Sequence, residues 1–505
     1  MTRLLLPVVL LLALTVSAQE TIDRSLPEFD FDQLELAGQM HFLASDFLAG
    51  RRTGSVGNEV AAEYIAAQLR GYGYAPLNAA DSSYFQTVPL SRVNPPLAAS
   101  LRIGDSTYVL GEEMIMLRGP AAEATAQVVY ANYGWVDEET GHNDYENLDV
   151  QGKIVVTRAG IPGDPGQQGI FRGIGQKAEL AADAGAVAVF EIYSLPYPWE
   201  GFRGYLGGER MSVSDGSEPA SIPYGFVNFA NASVRDLQDA PNGLPGQVMS
   251  SGLRVKDMGS RNVGGILRGS DPEVADEYML MTAHFDHVGV GAQGGGFYSA
   301  EDSIFNGARD NAFGTISLLA AARAFAEMPP HRSVIILAVT GEELGLLGSK
   351  YYAENPLVPL DQTVFNFNTD GAGYDDTSAV SLIGANRTGI DSQVQAAAAA
   401  FGKSVINDPA PEQGLFDRSD NVSFAALGVP ALTFSGGTTG FSDEINRYYH
   451  QVADNPETIN MQYLKEYCQV FTLAARLIAN RDSVPFWVEG DKYEAAGKTL
   501  YGSRK

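Results

Sequence analysis

The sequence predicts an α/β protein, a mixed β-sheet flanked by helices on both faces, with a β-rich domain inserted ahead of the main strand–helix run. Two textures predict it. From residue 278 onward, short apolar strands alternate with helical stretches. Between about 108 and 260, short strands and glycine turns prevail instead. A hydrophobic fraction of 45% against 19% charged residues gives the 505-residue chain a large core to bury, which excludes intrinsic disorder.

In chain order, Met1-Thr2-Arg3, the apolar run over 4–16 and the small residues around Ser17-Ala18 have the layout of a cleavable export signal over 1–18. The run is shorter than the ~20 residues that span a bilayer. No later stretch approaches that length, so an exported protein, periplasmic or extracellular and without stable membrane insertion, is expected. Residues 26–78 read as mostly helical: Ala61, Tyr64, Ile65 and Leu69 recur at three- and four-residue steps, and Gly71 and Gly73 end the helix. This piece is too small to stand alone, so 19–107 is assigned to the main domain as its N-terminal part. In the insert, 108–260, strands are expected over 126–131, 154–158 and 187–192, with a helix over 176–184. In 261–480, strands at 278–283, 333–340, 364–368 and 431–434 alternate with helices at 311–327, 344–354, 391–401 and 461–478. Residues 481–505 form a tail.

Lys and Arg total 34 against 61 Asp and Glu, a formal net charge of −27. That balance repels phosphate backbones and anionic lipid and argues against a nucleic-acid binder. A single cysteine, Cys468, allows neither an intramolecular disulfide nor a Cys-rich zinc module.

The chemistry gathers at strand ends. His284 directly follows the strand at 278–283, where sites form in open α/β sheets. Asp286, two residues on, can accept a hydrogen bond from the second imidazole nitrogen and fix the tautomer of a metal-bound His. A hydrogen-bonded structural histidine in a turn is the alternative. The wholly apolar 334–339 runs into Thr340-Gly341-Glu342-Glu343. Adjacent carboxylates at the end of a buried strand repel each other and are costly to desolvate without a cation. A divalent metal resolves this by taking one and leaving its neighbour as a base. Two solvated acids at a helix start, favoured by the dipole, are the other possibility. The strand at 364–368 ends in Thr369-Asp370. Asp310 lies between the first two strands, as a ligand or as the N-cap of the helix from 311. Tyr448-Tyr449-His450 precedes a turn at Asp454-Asn455-Pro456. Together His284, Asp310, Glu343, Asp370 and His450 emerge at one sheet edge. Two imidazoles and three carboxylates suit a pair of zinc ions sharing one bridging carboxylate, each with a position open to water. Glu342 remains unliganded beside them.

The pattern resembles the secreted co-catalytic di-zinc aminopeptidases, family twenty-eight of metallopeptidase clan MH. That clan also holds glutamate carboxypeptidases, transferrin receptors and glutaminyl cyclases. The resemblance runs from about Phe42 to Ile478. It is carried by Leu43-Ala44-Ser45-Asp46 with Gly50-Arg51-Arg52-Thr53-Gly54, by Gly307-Ala308-Arg309-Asp310-Asn311-Ala312 and by Glu342-Glu343-Leu344-Gly345-Leu346-Leu347-Gly348-Ser349. Asn147-Leu148-Asp149-Val150-Gln151-Gly152-Lys153-Ile154-Val155-Val156 and the stretch from Lys177 to Ala186 are similar to the protease-associated domain inserted in many members.

The resemblance implies that His284 and Asp370 hold one zinc and that Glu343 and His450 hold the other. Asp310 would bridge the two through a cis peptide to Asn311, Glu342 would be the general base, and Asp286 would orient His284. Two positions depart from the family: Arg309 stands where an acid is frequent, and Asn421 where a His is. No residue is assigned to the oxyanion side or to reading a substrate's free amine. The implied activity is removal of N-terminal residues from peptides by metal-activated water. A carboxypeptidase for acidic C-terminal residues would need an arginine cluster facing the site, which the sequence lacks. A glutaminyl cyclase uses a single zinc, and a non-catalytic receptor has lost ligands. The insert, with its aromatic and glycine-rich stretch over 197–208, is expected to act either as a lid or as a spacer.

Overall fold

Seven-residue strands without a single exposed side chain set the architecture. The chain is described by a computed structural model over residues 30–502, apart from 139, 196–197, 215–219, 230–236, 241–242 and 372 and the side chains of 167 and 168. The export signal expected over 1–18 lies outside the described residues. In Tyr278–His284 and Ser333–Val339, successive side chains feed two different cores. Met279, Met281, Ala283, Val334, Ile336 and Ala338 pack with Met40, Ile65, Ile316, Val394 and Phe471. These belong to the helices Gln33–Leu43, Val56–Gly71, Phe313–Glu327, Asp391–Ala400 and Met461–Ala479. On the opposite face, Leu280, Ile335, Leu337 and Val339 pack with Tyr352, Ala353 and Phe424 of the helices Leu347–Glu354 and Asn421–Ala425. Helices therefore cover both faces, as a continuously apolar strand requires.

The large sheet is 10-stranded. Its centre is Ser333–Val339, Tyr278–His284, Thr363–Thr369 and Ala431–Gly436, all parallel. Arg254–Leu267 and Ala379–Ile383 add to its two sides antiparallel, so the sheet is mixed. A second, 8-stranded sheet runs from Ala99–Ile103 through Leu244–Ser251 in sequence. It has its own cores on both faces. The change of texture near residue 108 thus falls inside this second sheet, because Ala99–Ile103 is already one of its strands.

The insert is also tied back into the large sheet. Arg210–Val213 pairs antiparallel with Phe85–Asn94, and Glu209 lies 3.7 Å from both Arg52 and Arg92. The helix Trp199–Leu206 packs on the insert's own sheet through Trp199 and Leu206. Between that sheet and the helix Gln167–Asp183, Lys177 Nζ meets Glu191 Oε2 at 2.6 Å, with both side chains fully buried and the Tyr224 hydroxyl donating to Glu191.

Candidate metal centre

Strand register sets the site. His284 pairs level with Val339, and Thr282 with Asn368, so parallel pairing brings His284, the loop after Val339 and Asp370 to one edge. That edge is the carboxyl end of the central strands, where α/β sheets form their sites.

Two loops complete it. Gly307, at φ +61°, begins the irregular turn Ala308–Ala312, within which the Asp310–Asn311 peptide is cis, as the resemblance implies. The Asn311 side chain staples this turn to two strand ends. Its amide donates to the carbonyls of His284 (3.3 Å) and Thr369 (3.1 Å), and its oxygen accepts from Gly314 and Gly371, each at 3.0 Å. Asp454, buried in the loop that carries His450, accepts from the backbone N–H of Arg309 at 2.9 Å and of Asp310 at 3.3 Å, and from the Arg309 guanidinium at 3.2 Å. Arg309, the departure from the family pattern, also lies over the Tyr448 ring, 3.6 Å from its centroid. It is a strut of the Asp310 loop. Below the edge, buried Arg51 donates to the carbonyls of Phe285 (2.9 Å), Asn306 (2.6 Å) and Gly307 (2.9 Å). Burial lowers its pKa to about 10, still leaving it a cation at neutral pH.

The five expected ligands converge. His284 Nε2 is 3.3 Å from Asp370 Oδ1 and 3.4 Å from Asp310 Oδ1. His450 Nε2 is 3.1 Å from Asp310 Oδ2 and 3.1 Å from Glu343 Oε2. The two oxygens of Asp310 therefore face two different histidines, each with a second carboxylate. His284, Asp310 and Asp370 form one group with ligand atoms within 4.8 Å of one another; His287, Asp310 and Glu343 form another. Buried nitrogen and carboxylate oxygen donors at this spacing fit divalent zinc.

Neither competing role holds for the acids. The helix after Glu343 begins only at Leu347, because Gly345 and Leu346 take positive φ (104° and 63°). Glu342 and Glu343 therefore sit in a loop and not in a first helical turn. The helix after Asp310 is preceded by Ala312, with no side-chain cap.

The electrostatics separate the adjacent glutamates. Burial and Asp310 push Glu343 up, but hydrogen bonds from His287 and His450 bring it down to about 2. Glu342 is pushed well above the usual carboxylate range by burial, reinforced by Asp370, Glu343 and Asp420 and opposed by His284. Burial pulls His450 down, yet Asp310 and Glu343 raise it to about 10. The two neighbouring carboxyls therefore sit in opposed electrostatic environments.

The carboxylate of Asp286, expected to orient His284, lies beyond hydrogen-bond range of its ring. His284 Nδ1 lies 3.3 Å from the Asp286 backbone oxygen but 3.8 Å from its Oδ1. The carboxylate instead accepts from the Thr53 hydroxyl (3.0 Å) and the Glu342 N–H (3.2 Å), so it positions the Glu342 loop. Asn421, the second departure, faces away from the ligands: it bonds the Phe416 carbonyl at 3.0 Å and the Thr433 hydroxyl at 2.9 Å.

Three contributors escape the sequence pattern. Ser419 donates to Asp370 Oδ2 at 2.6 Å and accepts from Asn368 at 2.9 Å. Tyr449 stacks on His450 with centroids 4.1 Å apart and lines the cavity above the cluster. His287 bonds Glu343 at 2.8 Å. The cavity continues from the acids over Ile383, Ala410, Leu415, Phe441 and Ile445, with Arg418 the one arginine lining it among the described residues. No residue of the helix Trp199–Leu206 lines it.

Residues 262–475 match the model described as Peptidase family M28, and residues 124–234 match that of the PA domain. The chain is 24% identical over 322 residues to Aminopeptidase YwaD of Bacillus subtilis (strain 168), covering 62% of this chain and 67% of that protein. It is 31% identical over 152 residues to the Vacuolar membrane protease of Saccharomyces cerevisiae, 29% of this chain and 14% of that protein. Among solved structures, the aminopeptidase from Aneurinibacillus sp. strain AM-1 superposes with a TM-score of 0.57 at 21% identity, over 88% of this chain and 93% of that one.

Proposed function

The chain belongs to peptidase family M28 and is a peptide hydrolase with a PA domain, and from that premise we propose that it is a zinc-dependent aminopeptidase working outside the cytoplasm. The observation that carries this is Asp310 turning its two oxygens to two separate His–carboxylate pairs, beside a Glu342 held above the usual carboxylate range. In this proposal His284 and Asp370 hold one zinc, Glu343 and His450 the other, and Asp310 bridges.

Zinc held by these residues would supply a Lewis acid that acidifies a water and polarises the scissile carbonyl. Glu342 accepts that water's proton and passes it to the leaving amine. Asp286 holds the Glu342 loop through the backbone N–H, and Ser419 holds the second oxygen of Asp370. Tyr449, stacked on His450, lines the cavity beside the cluster. The apolar lining from Ile383 to Ile445 fits an apolar N-terminal side chain.

Aminopeptidase names among the relatives support the choice of substrate end. A carboxypeptidase reading has one lining arginine behind it, Arg418, and no cluster. Export rests on the layout of residues 1–18; among the described residues no helix is long and apolar enough to cross a membrane.

A substrate pair tests the proposal. Leucyl-4-nitroanilide should be hydrolysed and its N-acetyl derivative should not. Equal turnover of the blocked substrate, or cleavage only of peptides ending in Glu or Asp, would overturn the aminopeptidase assignment.

A further inference from the structure

His287 stands outside the proposed ligand set yet is buried against it, its side chain fully shielded from solvent. Its Nδ1 lies 2.8 Å from Glu343 Oε1, while the other oxygen of that glutamate, Oε2, is the one facing His450. With Glu343 as a carboxylate, which can only accept, the imidazole N–H is the donor in this contact. The second ring nitrogen, Nε2, is buried with no hydrogen-bond partner among the described residues.

The ring has been given room. A Cβ on Gly307 would fall 2.5 and 2.6 Å from Cγ and Cδ2 of His287, so only glycine lets the imidazole lie against the loop that carries Asp310. The ring also packs edge-on to His450, with centroids 5.6 Å apart and planes at 78°. It therefore touches three parts of the centre at once: the Glu343 carboxylate, the His450 ring and the Asp310 loop.

We propose that His287 is a positioning residue of the metal centre: by holding Glu343 Oε1 it turns Oε2 toward the ion shared with His450, and so sets the affinity of that one site. The inference rests on the two-ion reading above. Direct ligation by His287 is the competing arrangement, since its nitrogen lies within reach of Asp310 and Glu343. But Nδ1 cannot both donate to Glu343 and bind a cation.

The test is zinc binding, not turnover. Metal-stripped wild type, His287→Asn and His287→Phe are titrated with zinc against a competing chelator, giving the affinity of each ion. Asn carries its amide N–H₂ on Cγ, where His carries Nδ1, so it keeps the donor; Phe keeps the ring and loses it. His287→Phe should weaken one ion ~10–100-fold, the usual cost of losing a partner that orients a ligand, and leave the other unchanged. His287→Asn should restore most of the loss. Wild-type affinities in His287→Phe would overturn the proposal. So would a His287→Asn protein that loses the ion as badly as His287→Phe, which is the result for a direct ligand. If His287→Phe does not fold, near-wild-type binding of both ions by His287→Asn is still required. A wild type that takes up fewer than two ions defeats the two-ion reading itself, a failure visible before any variant is compared.

Discussion

Glu342→Gln is expected to lower kcat by at least ~10²–10⁴-fold, the range that general-base catalysis contributes, while zinc content stays at the wild-type level. The substitution keeps the shape of the side chain and the backbone N–H bond to Asp286, but an amide cannot take the water's proton. The neighbouring Glu343→Ala removes an oxygen 3.1 Å from His450 Nε2. It should lower zinc content and activity together. The contrast between adjacent residues carries the weight. Elemental analysis and steady-state kinetics on both variants read it. If Glu342→Gln keeps most of its turnover, or loses zinc as readily as Glu343→Ala, the division of labour between base and ligand is wrong.

Asp310→Ala should be more damaging still. Both of its oxygens are engaged, one with each histidine, and its backbone is pinned by Asp454 and by the Asn311 staple. On the proposed two-ion reading, truncation leaves that backbone framework in place and takes one ligand from each ion. The expected result is depletion of both ions, with activity reduced beyond the ~10⁴-fold upper end for losing a base alone. Retention of one full equivalent of zinc together with measurable turnover would show that Asp310 serves a single site.

The convergence of the proposed ligands was legible because three of them terminate apolar strands or follow them directly. The runs ending near His284, Glu343 and Asp370 announce buried parallel strands, and parallel strands end at the same edge. Both expected helix starts came out too early, at 311 and 344 instead of Phe313 and Leu347. In each case the loop at the site extends further along the chain than the pattern suggests, and tertiary contacts hold its last residues in non-helical conformations. Asn311 at φ −128°, ψ 40° and Leu346 at φ 63° are such positions. The supporting residues were illegible for a different reason. Arg51 reaches a carbonyl 255 positions away, Asp454 a backbone 145 positions away, and Ser419 a carboxylate 49 positions away. No periodicity records such contacts. His287 lay in plain view three residues after His284, but its partner Glu343 is 56 positions on. The insert's outline blurred because its first strand, Ala99–Ile103, precedes the change in texture, and because Arg210–Val213 leaves the second sheet to pair with Phe85–Asn94.

The bridging role of Asp310 is tested most directly by counting zinc per chain in zinc-replete, gel-filtered wild-type protein by elemental analysis. Two tightly held ions per chain are predicted, in keeping with co-catalytic sites whose metals lie ~3.5–4 Å apart. One ion per chain, with full activity, would contradict it.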